Sequence, residues 1–125
     1  MQNQSNVVGW FEIAVTDMDR AKKFYSNVFQ TEFHDMEMDD SIMAMFPMDI
    51  TKTGSSGALL KHKDYIPSTD GTVIYFSCVD CAVEQKRVEE QGGNVIIPKM
   101  AIGEHGFISM FIDCEGNKIG LHSNS

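Results

Sequence analysis

Basic side chains are scarce in this sequence of 125 residues. Lys and Arg together number 10, against 18 Asp and Glu, and the formal net charge is −8 at pH 7. Nucleic acids and anionic membrane surfaces both attract proteins through basic residues, so we exclude these two classes of partner. The arginines are Arg20 and Arg87, which leaves few groups able to clamp a phosphate or a carboxylate with two hydrogen bonds.

Targeting segments are also lacking. No apolar run approaches the ~20 residues that a membrane-spanning helix needs. Residues 1–9 are polar and contain no basic residue, unlike a secretory signal. The cysteines are Cys78, Cys81 and Cys114. An odd number of cysteines without a signal indicates reduced thiols, and we therefore expect a cytoplasmic protein.

The composition is otherwise that of a globular protein. Hydrophobic residues make up 42% of the chain and charged residues 22%, and the length fits one ordinary domain covering residues 1–125. Methionine is abundant, with nine in the chain, five of them between Met36 and Met48. Because Met is flexible and polarizable, it suits a forgiving core or an adaptable pocket, and the core is the preferred interpretation.

The first half of the chain predicts one strand, one helix and three further strands. Residues 7–15 are rich in β-branched and aromatic side chains, typical of a strand whose core face carries Phe11, Ile13 and Val15. Thr16 or Asp17 can cap a helix, and apolar residues at helical spacing follow up to Phe29. Short extended segments come next, at 32–38, 41–48 and 57–61.

The second half repeats this pattern after a connection at 63–71, which contains Pro67 and ends in Asp-Gly. A strand at 72–78 precedes Asp80, which caps a helix to Gln91 whose weak apolar stripe includes Val83 and Val88. Gly92 and Gly93 predict a left-handed stop after this helix. Strands follow at 94–100, where Pro98 indicates an edge strand, and at 107–113 and 118–123. Asp80 lies 63 residues after Asp17, which indicates an internal duplication. Two small sheets of this kind can close around a concave space, where small-molecule sites tend to lie.

Trp10 and Glu12 share one face of the first strand and are predicted to point into this space. The Glu12 carboxylate is a candidate general base; its other interpretations are a buried acid held by backbone donors or a solvated one. Tyr75 has the corresponding face in the second half, so Trp10 and Tyr75 are candidate walls of a ligand cavity. The alternative is that both aromatic residues belong to the core.

Further candidates lie near the end of the chain. His105, in a Gly-flanked loop, is a second candidate acid or base, unless it is an exposed loop histidine. Phe107 and His122 are predicted ligand contacts, and His122 shares a strand face with Gly120. Cys78 and Cys81 form a C-x-x-C pair without the second pair of a zinc site, and a structural role is preferred over redox chemistry.

Several motifs resemble the vicinal oxygen chelate superfamily, which includes glyoxalase I, extradiol dioxygenases, fosfomycin-resistance proteins and bleomycin-binding proteins. The resemblance rests on Trp10-Phe11-Glu12-Ile13, on 17–25, on 92–99 and on 113–122. It is closest to the small glyoxalase-like proteins that end in DPEGN-x-IGL, with Cys114 in place of the usual Pro.

The resemblance implies an α+β fold of two βαβββ modules, near 7–62 and 72–123, forming an open, cupped mixed sheet. It also implies a homodimer. In relatives that use a metal, the ligands occupy positions matching Trp10, Val73 and Gly120, none of which can coordinate a divalent ion. We therefore expect no metal cofactor. The alternative is a metal site in a shifted register, formed by Glu12 with His122, either alone or together with His62.

Three functions are compatible with these observations. The first is a glyoxalase-like enzyme of lyase or isomerase type, acting without a metal on a small carbonyl or apolar metabolite through Glu12 or His105. The second is a non-catalytic module that binds or sequesters a small molecule, of the bleomycin-resistance type. The third is a structural or partner domain whose cavity is filled by its own methionines.

Overall fold

The computed structural model describes residues 6–125, which form two modules of the same topology. Module one consists of β1 (Phe11–Ala14), α1 (Met18–Phe29), β2 (His34–Met38), β3 (Ser41–Met45) and β4 (Gly57–Lys61). Module two consists of β5 (Tyr75–Cys78), α2 (Cys81–Glu90), β6 (Asn94–Ala101), β7 (Phe107–Ile112) and β8 (Lys118–Ser123), with a 3₁₀ turn at Gly103–His105. We call residues 62–74, between the modules, the linker.

Each module contains one four-stranded mixed sheet. The strand orders are β1-β4-β3-β2 and β5-β8-β7-β6. In both sheets the first and last strands of the module are parallel, with Phe11 opposite Gly57 and Tyr75 opposite Gly120. The other pairs are antiparallel. The predicted α+β fold of two βαβββ modules is therefore confirmed, and Pro98 lies in β6, an edge strand, as expected.

The helix boundaries follow from local capping. The Asp17 carboxylate accepts a hydrogen bond from the Arg20 amide, and the Asp80 carboxylate accepts one from the Ala82 amide. These bonds satisfy amides that have no partner within the helix. Helix α1 ends at Gln30 in the left-handed conformation, with φ of 52°. After α2 the chain turns at Gly92, with φ of 88°, a conformation that glycine adopts at little cost.

The two modules share one hydrophobic core, to which both helices and both sheets contribute. Phe76 of β5 connects the modules because its ring packs among aromatic rings of module one. Its ring centre lies 4.3 Å from that of Phe29 in a stacked arrangement. Its other neighbours are Phe11, Tyr25 and Phe46. Helix α1 also contacts α2 directly, because the Arg87 side chain donates a hydrogen bond of 3.2 Å to the Val28 carbonyl. Asn27 donates a further bond of 2.9 Å to Gln91, which follows α2.

Some elements differ from the predictions. Strand β1 begins at Phe11 rather than at residue 7, because the pairing of β1 with β4 begins where Phe11 lies opposite Gly57, the first residue of β4. Strand β3 ends at Met45 rather than at residue 48, and Pro47, which lacks a backbone N–H, follows shortly after. Helix α2 was expected to bury Val83, but Val83 is 46% exposed. Its buried residues are Cys81 and Val88.

The methionines are divided between core and surface. Met43 is buried on the sheet face away from the helices, against Ala58 and Leu60 of β4, and Met36 and Met45 pack around it. Met38 and Met48 are exposed. Module one therefore covers part of its own open face with methionine. No helix within residues 6–125 has the length and apolar character to cross a membrane.

Candidate functional site

A cleft of about 450 Å³ runs along β1, between this strand, the linker and the start of β8. Its lining combines apolar and polar side chains. The apolar ones include Val8, Trp10, Ala14, Ile66, Ile74 and Ile119, and the polar ones are Glu12, Ser68, Asp70, Thr72, Asn117 and Lys118. A larger but more open depression lies along α1 from Lys22 to Phe33. Its lining is almost entirely polar, so the cleft is the better candidate for a small-molecule site.

Strand β1 sets the chemistry of one wall. Because successive side chains of a strand point to opposite faces, Ile13 enters the core while Trp10 and Glu12 stay accessible. The indole Nε1–H of Trp10 donates a hydrogen bond of 3.3 Å to Glu12 Oε2. The Trp10 side chain is 40% exposed. The wall thus presents a flat aromatic surface beside an oriented carboxylate.

Asn117 connects β1 to the two other walls of the cleft, the linker and the start of β8. Its side-chain amide donates to the Ala14 carbonyl at 2.8 Å, and its side-chain oxygen accepts from the Ser68 amide at 3.0 Å. The Lys118 amide also donates to the Ser68 carbonyl, at 3.3 Å. The buried Asn117 therefore joins strand, linker and β8 at one point. The sequence offers one signal for this role, the DPEGN-like ending, a motif that indicates the fold and does not by itself indicate a site.

The same motif makes a buried polar joint between the modules. Asp113 accepts hydrogen bonds from the Tyr25 hydroxyl at 2.5 Å and from the Asn117 side chain at 3.1 Å. It also accepts from the Glu115 and Asn117 amides. Burial, together with the Asp113 carboxylate, raises the pKa of Tyr25 well above its ordinary value. The hydroxyl consequently stays protonated and donates to Asp113.

Glu115 extends this joint to the start of α1. Its side chain is fully buried, and it accepts from the Thr16 amide at 2.8 Å, the Asp17 amide at 2.9 Å and Arg20 Nε at 2.6 Å. Burial alone would raise the pKa of Glu115, but these hydrogen bonds outweigh it and lower the pKa to about 2. The charged carboxylate thus fixes the end of β1 relative to the 113–117 turn, and with it the shape of the cleft.

Tyr75 does not line the cleft, although we predicted that it would share a cavity with Trp10 and Glu12. Its ring lies over Gly120 of the neighbouring strand, in the space that a side chain at residue 120 would need. Its neighbour Ile74 lines the cleft instead. The reason is that the modules join through their helices and the 113–117 turn, so the equivalent faces of β1 and β5 do not form one wall.

The remaining predicted residues lie together at the other end of module two. His122 Nε2 is 2.7 Å from the carbonyl oxygen of His105, whose own side chain is exposed. Phe107 packs against the shared core, with Lys99 Nζ 4.6 Å from its ring centre. None of these three residues lines the cleft. Their roles in ligand binding or proton transfer stay predictions.

The residues at the usual metal positions do not fit a divalent ion. Trp10, Val73 and Gly120 offer no oxygen, sulfur or imidazole ligand, and the ring of Tyr75 occupies the space beside Gly120. The residues of the alternative metal site, Glu12, His62 and His122, each contact a different partner. His62 Nε2 lies 3.2 Å from Asp40, whereas Glu12 bonds Trp10. Within residues 6–125, no three His, Cys, Asp or Glu side chains lie close enough together to hold a metal ion.

The cysteines are free thiols. Burial is the main reason why the pKa of Cys78 is raised to about 12, and Glu84 contributes to the rise. Burial, together with a hydrogen bond to Glu115, likewise raises the pKa of Cys114 to about 12. Both thiols therefore stay protonated at neutral pH, which is unfavourable for nucleophilic or redox chemistry.

Comparison with known proteins agrees with this architecture. The family model of the Glyoxalase/Bleomycin resistance protein/Dioxygenase superfamily matches residues 7–121. The chain belongs to this superfamily. The resemblance inferred from the motifs is thus confirmed, and the linker and the 113–117 turn both lie within the matched part of this superfamily member.

Individual relatives are distant. The glyoxylase-named protein CFP32 of Mycobacterium bovis is 28% identical over 117 residues, which cover 90% of this chain and 43% of that protein. The chain therefore spans less than half the length of this curated relative.

Two solved structures show the same fold over 98% or more of their length. A glyoxylase/bleomycin resistance protein/dioxygenase domain from Frankia sp. EAN1pec superposes with a TM-score of 0.75 at 17% identity, covering 98% of this chain and 100% of that chain. A glyoxalase/bleomycin resistance protein from Streptomyces sp. CB03234 gives 0.69 at 24% identity, covering 92% and 98%. At these identities the similarity concerns the fold alone.

Proposed function

We propose that this superfamily member binds a small organic molecule in the cleft along β1. The observation that carries the proposal is the hydrogen-bonded pair of Trp10 and Glu12 on the cleft wall. The indole supplies a flat apolar surface, and the carboxylate supplies a fixed acceptor beside it. The cleft volume of about 450 Å³ falls within the range of roughly 300–1,000 Å³ in which small-molecule sites occur.

We further propose that the protein is an enzyme of lyase or isomerase type acting on a small carbonyl compound. Glu12 is exposed to the cleft and its Oε2 is held by Trp10. A carboxylate in this position can remove a proton from the α carbon of an α-hydroxy carbonyl compound and return it to the carbonyl carbon, while the hydroxyl proton passes to the carbonyl oxygen. Such an isomerisation balances without a co-reactant. The second candidate, a non-catalytic binding module, uses the same cleft and differs only in the role of Glu12.

The single tryptophan of the chain makes the binding proposal directly testable. We expect 2-phenylethanol, used as a neutral aromatic probe, to change the fluorescence of Trp10 in a saturable way, with a dissociation constant of about millimolar size for so small a molecule. Tyr75→Ala is the matched control because it removes an exposed aromatic residue outside the cleft. Loss of the response in Tyr75→Ala, or no response in the unmodified protein, would contradict the proposed site.

Catalysis can be separated from binding by isotope exchange. We expect the protein to accelerate the exchange of the α protons of hydroxyacetone in D₂O, measured by proton NMR, and Glu12→Gln to abolish the acceleration. Retention of 2-phenylethanol binding by Glu12→Gln would show that the variant is folded. An exchange rate equal to that of buffer in both proteins would favour the non-catalytic binding module.

We also propose that the protein works without a metal and as a homodimer in the cytoplasm. The absence of ligating side chains at Trp10, Val73 and Gly120 supports the first point. Elemental analysis after dialysis would contradict it by finding one equivalent of Zn²⁺, Ni²⁺, Mn²⁺ or Fe²⁺. Light scattering should give a mass twice that of the 14.0 kDa chain, and a monomer would contradict the second point.

A further inference from the structure

We propose that the cleft selects amphipathic cations, molecules in which an ammonium group is attached close to an aromatic or apolar body. The inference rests on the proposed binding in this cleft and specifies the ligand class of its non-catalytic form, in which Glu12 binds the ligand instead of removing a proton. The ammonium group binds the Glu12 carboxylate, and the apolar body packs on the indole of Trp10. The proposal rests on the cleft's charges, on the orientation of Glu12 and on the engagement of both arginines elsewhere.

The charged side chains of the cleft are predominantly acidic. Glu12 and Asp70 face one lysine, Lys118, across its walls. Both arginines are engaged outside the cleft, since Arg20 bonds Glu115 and Arg87 donates to the Val28 carbonyl. A carboxylate or phosphate ligand would thus meet two like charges and no guanidinium clamp. A cationic ligand meets two opposite charges instead.

The Trp10–Glu12 pair favours the same class. The indole N–H is a donor only, and it is already engaged by Glu12 Oε2. This bond leaves the carboxylate next to the ring, where an ammonium group can contact the acid and the π face together. Tryptophan is the side chain that attracts cations most strongly through its ring. The pair therefore offers a cation two favourable contacts, whereas an anionic ligand gains neither.

A series of three probes of similar size and different charge tests the proposal. The probes are 2-phenylethylamine, 2-phenylethanol and 3-phenylpropionate, titrated at neutral pH and constant ionic strength while Trp10 fluorescence is followed. We expect the amine to bind about three- to tenfold more tightly than the alcohol, and the carboxylate to bind more weakly than the alcohol. Because Glu12 is exposed, added salt should reduce the preference.

Two matched variants assign the effect to the cleft. Glu12→Gln should bring the affinities of amine and alcohol close together, while Glu104→Gln, which neutralises an 89% exposed acid outside the cleft, should keep the preference. Equal binding of all probes by the unmodified protein, or a preference for the carboxylate, would overturn the ligand class and leave the cleft as a site. No response to any probe, in fluorescence and in thermal shift, would overturn both proposals.

Discussion

The two modules have the same topology, yet their first strands serve different purposes. In module one, Glu12 of β1 and Trp10, which directly precedes this strand, form one wall of the cleft. In module two, Tyr75 of β5 lies over Gly120 and shields its own sheet. The comparison shows that duplication of a fold does not duplicate a site. The site depends on what the linker and the neighbouring module place beside each strand.

The two modules also differ in the side chains that cover the sheet face pointing away from the helices. Module one covers its face with the buried Met43 and the surrounding Met36 and Met45, while module two uses an aromatic ring on glycine. Flexible methionine side chains fill irregular space, and in module one they cover part of the open sheet face. The cleft lies beside this filled face, along the free edge of β1.

The sharpest contrast is between adjacent residues of β5. Phe76→Ala should lower the free energy of unfolding by roughly 3–5 kcal/mol, because it removes the ring that packs on four aromatic residues of module one. Tyr75→Ala should cost about 1 kcal/mol or less, since Tyr75 is 47% exposed. Urea unfolding followed by circular dichroism measures both. Similar losses in the two variants would show that the junction between modules is not aromatic.

Glycine at the start of each parallel ladder gives a second contrast. A Cβ at Gly57 would clash with the backbone oxygen and the ring of Phe11, whereas a Cβ at Gly120 would clash with the movable ring of Tyr75. We expect Gly57→Ala to cost about 1–3 kcal/mol and Gly120→Ala to cost less. The same unfolding measurement decides, and a larger loss in Gly120→Ala would mean that Tyr75 is fixed in place.

The polar joint between the modules gives an effect of similar size at neutral pH, and this effect depends on pH. Glutamate in an unfolded chain titrates near 4.5, and the pKa of Glu115 in the folded protein is about 2. Its stabilisation is therefore complete above about pH 4.5 and is lost as the pH falls toward 2. Glu115→Gln should cost about 1–3 kcal/mol at neutral pH, and the difference from the unmodified protein should shrink over this window.

Glu104→Gln is the control for this measurement, because its carboxylate is exposed and pairs only loosely with His105, at 3.9 Å. Its stability should follow that of the unmodified protein throughout the titration. A constant difference between Glu115→Gln and the unmodified protein down to pH 2 would mean that the charge of Glu115 does not hold the modules together.

Much of the fold was predictable because its signals are local. The caps Asp17 and Asp80, the left-handed turn at Gly92 and the bounds of β4 and β8 agree with the structure. Each depends on one turn of chain or on a simple alternation of side chains. Where the prediction failed, as for Val83 and the start of β1, burial or a strand partner distant in sequence decided the outcome.

The candidate site was predictable only in part. Alternation along β1 placed Trp10 and Glu12 on one face, and the structure brings both to the cleft. The local pattern of the linker residues Ser68 and Asp70 predicts only a connection, and nothing in it indicates that Asn117 bonds Ser68 or that the Asp70 amide bonds the Ser68 hydroxyl. Tyr75, by contrast, has the expected face but lies outside the cleft.

The sequence by itself determined the family, the two-module topology and the excess of acids, since motifs, capping and composition are properties of short segments and of totals. The tertiary structure decided which surfaces meet. Asn117 bonds Ser68, which precedes it by 49 positions, and Ala14, which precedes it by 103 positions. The ring of Phe76 packs in the other module. Contacts over such distances depend on how the modules pack, and this packing places the cleft beside one first strand rather than between both.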